Sequence, residues 1–215
     1  SSRRRHTRYI SVTGVQTCAL PISPVGPRMA HPNQYPLLAR PNIMLSGAVD
    51  YNMYGFFRGA LLNCPPQGPI VISITTLGGD PEVARAMGDD VRLMQEQDGR
   101  EMLFVGKAAV YSAGVTFMSF FPNDKRFLTR GTRLMIHERQ IMRTVELNGP
   151  LRMCVASLKA VLNEIEQSIE IEEEGFRALI AGSKIGFDEV HSRAPENWYL
   201  EAEQARELGL VLDVI

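Results

Sequence analysis

The sequence predicts an α/β fold on a mainly parallel sheet, and three observations predict it. Short runs rich in β-branched and apolar residues, "IVISITT" (70–76) and "MLFVGKAAV" (102–110), read as strands buried on both faces. A helical pattern lies between them, so strand and helix alternate as in βαβ units. Breaks such as "CPPQGP" (64–69) and "LGGD" (77–80) punctuate the alternation.

Each element follows from its own stretch. "NIMLSG" (42–47) is a short apolar run stopped by glycine, a buried-strand signal. "DYNMYGFFRGALLNC" (50–64) opens on Asp50, an N-cap residue type, and spaces its apolar residues as a helix does. In "PEVARAMGDDVRLMQEQ" (81–97), Pro81 suits the first helical position, and Val83, Met87, Val91 and Met94 share a face. "SAGVTFMSFF" (112–121) predicts a short apolar helix, and "KRFLT" (125–129) and "RLMIHE" (133–138) two short strands around a glycine turn. "PLRMCVASLKAVLNEIEQSIEIEEEGFRALIAG" (150–182) sets Leu151, Val155, Leu158, Leu162, Ile165, Ile169, Phe176 and Leu179 near a helical repeat. At ~1.5 Å per residue that helix runs about 45 Å, so it projects or packs on a partner. "SKIGFDEVHSRA" (183–194) predicts a short helix, "NWYL" leads into the helix "EAEQARELGL" (201–210), and "VLDVI" (211–215) is a last strand.

The totals exclude several function classes. The 215 residues allow one domain or at most two, and the net charge of −1 gives no basis for nucleic-acid or anionic-membrane binding. No apolar run reaches the roughly 18–20 residues of a bilayer span. The 3 cysteines, widely spaced, form neither a disulfide framework nor a CxxC pair, which fits a reducing cytoplasm. His6, His31, His137 and His191 make no HxxxH pair, so no metal and no cofactor are expected.

"SSRRRHTRYISVTGVQTCALPIS" (1–23) is rich in Arg and Ser and has no acid. Physically it reads as a transit peptide or basic arm, but "VTGVQTCALPI" resembles the conceptual translation of a sequencing adapter, and we set residues 1–23 aside. "PVGPRMAHPNQYPLLARP" (24–41) is proline-rich and reads as an extended or disordered lead-in, with Met29 near the native start. The domain is expected over 42–215, after a non-native or disordered 1–41.

"LGGD", "YSAG" and "IHER" each lie just past a predicted strand end, where parallel sheets bind their ligands. A serine hydroxyl becomes a nucleophile only when a base accepts its proton. His137 is the histidine that follows a hydrophobic strand at the same rim, 137 − 112 = 25 residues after Ser112. Ser112 begins a helix, so the Ala113 N–H is free to stabilise negative charge, and the Gly78–Gly79 turn offers a second donor for an oxyanion hole. Each feature alone has a plainer reading: Ser112 as a cap or packing residue, the glycine pair as an ordinary turn. Their convergence carries the argument. Tyr111, Phe117 and Met118 read as core before they read as pocket.

"ITTLGGDPEVARAMGDDVRLM", "AVYSAGVTFM", "RLMIHER" and "EAEQARELGLVLDVI" together resemble the Clp protease proteolytic subunit and its serine-peptidase relatives. The order of motifs and the serine-to-histidine spacing match over about residues 42–215. The resemblance implies a crotonase-like superhelix of repeated ββα (βαβ) units with a long projecting handle, about residues 138–182. It implies Ser112 as nucleophile, His137 as general base, and Gly79 (or Gly78) with Ala113 as oxyanion donors. The third triad position falls on Asn197, just before "WYLEA", where the family has an acid; Glu196 is adjacent and Asp188 is another acid nearby in sequence. Asparagine orients an imidazole but carries no charge. "TLGG" for the family's "SPGG" and "HERQ" for its "HQP" mark a divergent member.

Further implications are a peptide or unfolded-protein substrate, a homo-oligomeric ring (two stacked heptamers in the family) and an AAA+ unfoldase partner, although the family's axial loops have no clear counterpart here. Two other readings stand beside the peptidase. One is a structural subunit with a degraded triad, which Asn197 favours. The other is a crotonase-like acyl-CoA-binding protein, whose chemistry does not call for a serine and a histidine at this spacing.

Overall fold

The computed structural model describes residues 34–215. Seven strands form one sheet: β1 (Ile43–Ser46), β2 (Ile70–Thr76), β3 (Met102–Tyr111), β4 (Arg126–Leu128), β5 (Arg133–Ile136), β6 (Trp198–Glu201) and β7 (Asp213–Val214). The order is β1-β2-β3-β4-β7, with β5 on β3 and β6 on β5. Every pair is parallel except β5 with β6. The mainly parallel α/β reading therefore holds, and β2 is buried along both faces as its composition requires.

Strand β3 splits the sheet. Its first half pairs with β4 at Phe104↔Arg126 to Gly106↔Leu128, and its second half pairs with β5 at Ala109↔Arg133 to Tyr111↔Met135. The register against β2 shifts between Ile74 and Thr76, and Ala108 nearby has a positive φ of 57°. This irregularity turns the end of β3 away from β4 and onto β5, which ends beside it.

Helices α1 (Tyr51–Leu62), α2 (Pro81–Glu96) and α3 (Ala113–Met118) supply much of the main core. Asp50 caps α1 by accepting from the Met53 N–H at 2.8 Å. Asp80 caps α2 by accepting from the Glu82 and Val83 N–H groups, with Pro81 in the first turn. Val83, Met87 and Val91 are buried, as their shared face predicts. Helix α3 is shorter than expected: Ser119 to Phe121 close it in a turn. Helix α4 (Leu151–Ile180) is the long one; α5 (Phe187–Arg193) and α6 (Ala202–Glu207) complete the set. Within α4 only Phe176 and Leu179 are buried, while Leu151, Met153, Val155, Leu158, Leu162 and Ile169 are exposed.

A second, smaller core covers the other face of the sheet: Leu38, Val71, Leu103, Val105 and Phe127. Over residues 34–41 the structure differs from the reading of the proline-rich lead-in, while the readings of residues 1–33, Met29 included, lie outside the described residues. Pro36–Ala39 form a 3-10 turn, Leu38 is buried, and the Tyr35 ring meets Phe127 edge-on at 4.8 Å. Prolines restrict the backbone without preventing burial of the leucine between them.

Among the described residues the most buried charge is Arg126. Its guanidinium donates to the carbonyls of Phe121 (2.6 Å), Leu179 (2.8 Å), Leu210 (3.2 Å) and Ser119 (3.2 Å). It ties the end of α3, the end of α4 and the turn after α6 to β4. Burial pulls its pKa down to about 10, so it stays charged near neutral pH. Among the described residues no helix is long and apolar enough to cross a membrane, and no three His, Cys, Asp or Glu residues gather as a metal site.

Replacing Arg126 by methionine keeps the bulk but strips these carbonyls of their donor. We expect a loss of about 2–4 kcal/mol in urea unfolding. A change below about 0.5 kcal/mol would show that the carbonyls find other partners.

Candidate active site

Ser112 sits between the last residue of β3 and the first of α3, with φ 53° and ψ −116°. A side chain disfavours that backbone conformation, at a cost of roughly 1–3 kcal/mol. The turn is held from both sides. The Ser112 N–H donates to the Met135 carbonyl on β5 at 2.9 Å, and the Ser112 carbonyl accepts from the N–H groups of Val115 (2.8 Å) and Thr116 (3.1 Å). Gly78 leaves room for it: a Cβ there would stand 2.8 Å from the Ser112 Cβ. The sharp turn exposes the hydroxyl at the strand end.

His137 follows the last residue of β5, and its Nε2 lies 2.7 Å from the Ser112 Oγ. The pairing Tyr111↔Met135 between β3 and β5 sets this meeting, because each functional residue comes just after the paired strand ends. The ring is half-buried. Burial pushes its pKa below the ordinary 6.5, with Glu138 pulling the other way. The lowered pKa favours the neutral imidazole, and in the tautomer protonated at Nδ1 its Nε2 accepts from the Ser112 hydroxyl.

The two candidate glycines separate. The Gly78 N–H already donates to the Thr76 Oγ1 at 3.0 Å, and its carbonyl accepts from the Val49 N–H. Gly79 is different: Val49 and Asp80 bond around it, and its own N–H has no partner among the described residues. Its φ is 149°, and a Cβ there would fall 2.3 Å from the Val49 carbonyl oxygen, so only glycine fits. Ala113, first residue of α3, likewise has no partner for its N–H among the described residues. Gly79, Ser112, Ala113 and His137 line one cleft of about 900 Å³, whose far wall is α4. Phe120, Ile136, Ile169 and Phe176 give that cleft apolar surface. Phe117 and Met118 are core, and Tyr111 packs on Tyr199 with ring centroids 5.5 Å apart.

Asn197, where the resemblance puts a third triad member, makes no hydrogen bond to His137 among the described residues. The antiparallel pair Ile136↔Trp198 is the last of the β5–β6 ladder, and His137 and Asn197 are the residues just beyond it. Asn197 adopts a left-handed backbone, φ 57° and ψ 82°, at the end of a 3-10 turn, and its side chain is exposed without a hydrogen bond among the described residues. Neither Asp188 nor Glu196 bonds to His137 either, and both are exposed. Sequence reasoning missed Thr76, which orients the glycine turn, and Arg139, which lines the cleft and binds Glu82 and Glu172. The unusual "HERQ" in place of "HQP" was the available signal for Arg139.

Three comparisons bear on this arrangement. The family model described as Clp protease matches residues 29–215. The ATP-dependent Clp protease proteolytic subunit 2 of Treponema pallidum (strain Nichols) is 27% identical over 180 residues, 80% of this chain and 81% of that one. An Asn-to-Asp mutant of ClpP1 from Listeria monocytogenes shares the fold with a TM-score of 0.62 at 21% identity, covering 80% of this chain and 90% of that one.

The His137 ring should titrate below pH 6.5 in a proton NMR pH series. The depression should survive Ser112→Ala, since burial causes it. A midpoint at or above the ordinary value would contradict the buried, neutral imidazole.

Proposed function

Since the chain belongs to the Clp protease family, we propose that it is a serine endopeptidase subunit that cleaves peptide bonds through a Ser112 acyl-enzyme. The observation that carries this reading is the 2.7 Å contact between the His137 Nε2 and a serine Oγ held on a strained strand-to-helix turn. Ser112 Oγ attacks the scissile carbonyl carbon while its proton passes to Nε2. The carbonyl oxygen takes the negative charge and lies between the N–H groups of Gly79 and Ala113, each such donor typically worth about 10²–10³ in rate. The tetrahedral intermediate collapses, the amine leaves with the proton from Nε2, and the peptide's acyl part stays on Oγ. Water then gives a proton to Nε2 and attacks the ester, which frees the carboxylic acid and restores Ser112. No metal or nucleotide is needed for these steps.

Asn197 is the proposed partner of the other imidazole nitrogen. A rotation of its side chain brings the amide oxygen to accept from Nδ1–H, which fixes the tautomer without adding charge to stabilise an imidazolium. Such a triad works slowly. The exposed apolar side of α4 supports assembly with further copies of this chain, and we infer a ring that encloses the clefts, two rings stacked through these helices. A non-catalytic assembly subunit is the second reading, favoured by the absence of any hydrogen bond from His137 to an acid among the described residues.

Labelling with a fluorophosphonate probe and mass mapping separates the two. Modification is expected at Ser112 and lost in Ser112→Ala, and Asn197→Asp should label at least about tenfold faster because an acid steadies the imidazolium. Assembled protein that takes no label at Ser112 would favour the assembly subunit.

A further inference from the structure

Strand β5 ends at Ile136, and residues 137–148 have no regular secondary structure. His137 makes one side-chain hydrogen bond among the described residues, to the serine it serves. Something else must hold the chain that carries it. The next fixed point is Arg139, two residues on. Its backbone N–H donates to the Glu172 carboxylate of α4. Its guanidinium, only 19% exposed, pairs with Glu82 of α2 at 2.5 Å. Glu82 uses its other oxygen for Arg85 at 2.7 Å, so both carboxylate oxygens are engaged. Burial opposes the charge on Glu82, yet the bonds from Arg139 and Arg85 outweigh it and hold this carboxyl below its usual range.

The placement of these groups in the chain matters more than their strength. Glu82 lies three residues after Gly79, in the first turn of the helix that the glycine turn opens. Arg139 lies two residues after the base. One side chain therefore bridges the two segments that carry the base and the oxyanion donor, and its own backbone is anchored to the far wall of the cleft. Since Asn197 makes no hydrogen bond to His137 among the described residues, such a bridge supplies the missing restraint.

We propose that Arg139 is a positioning residue: through Glu172 and Glu82 it fixes the chain after His137 between α4 and α2, and so keeps base and oxyanion loop in register. The proposal rests on Ser112 and His137 acting as nucleophile and base. Positioning errors of about 1 Å cost up to 10²-fold in rate, and a bridge that is half-exposed at its Glu82 end supplies part of that restraint.

The test is saturation kinetics of fluorophosphonate labelling. Arg139→Ala should slow the maximal inactivation rate about tenfold while the half-saturating probe concentration stays within about twofold. Glu82→Gln should act likewise, the double variant should be no slower than Arg139→Ala, and Arg139→Lys should recover part of the rate. An unchanged rate in Arg139→Ala, or effects that multiply in the double variant, would overturn the proposal. A parent protein that takes no label would overturn the peptidase reading instead. Amide hydrogen exchange over residues 137–141 then decides the bridge by itself: faster exchange in Arg139→Ala supports it, and unchanged exchange overturns it.

Discussion

The backbone of Ser112 is the constraint around which the rest is arranged. A left-handed φ at a residue with a side chain is unfavourable, and it persists only where the surroundings leave no alternative. Here the end of β3 pairs with β5 through the Ser112 N–H, the first turn of α3 closes on its carbonyl, and the cavity beside its Cβ exists because Gly78 has none. These contacts place the hydroxyl at the strand end, and the same β3–β5 pairing delivers His137 to it. The bend near Ala108 is what lets one strand serve two neighbours, β4 for stability and β5 for the site.

Around that turn the electrostatics are spare. Burial favours the neutral form of the imidazole, and in the proposed acyl transfer the developing negative charge would meet two backbone N–H groups free of partners among the described residues. Donors that need not reorganise stabilise such charge best. Arg126 gives the frame its rigidity by holding the carbonyl ends of two helices and a turn at once. The cleft's outer wall is α4, whose apolar side is largely exposed in a single chain, so the fold carries surface that a second copy would cover.

Much of this was legible in the residues. Patterns of β-branched runs and helical spacing located β2, β3, α1, α2 and α4, since those signals depend on which faces are buried. The strand-end rule brought "LGGD", "YSAG" and "IHER" to one rim. What the residues could not show was peptide orientation and long-range contact. Whether Gly78 or Gly79 has a free N–H depends on Thr76 and Val49, which no local pattern links to the turn. The bridge from Arg139 to Glu82 spans 57 positions, and "HERQ" alone does not name its partners. The proline-rich lead-in reads locally as extended or disordered, yet Leu38 within it packs with Val71, Leu103, Val105 and Phe127, contacts no local pattern announces.

The central claim is that Ser112, His137, Gly79 and Ala113 form one acyl-transfer centre. The most direct measurement is a crystal structure of the protein soaked with a peptide boronic acid. The account predicts a tetrahedral adduct on Ser112 Oγ, with one boronate oxygen within hydrogen-bond reach of the N–H groups of both Gly79 and Ala113. A boronate bound elsewhere, or a Ser112 adduct whose oxygens avoid those two N–H groups, would contradict it.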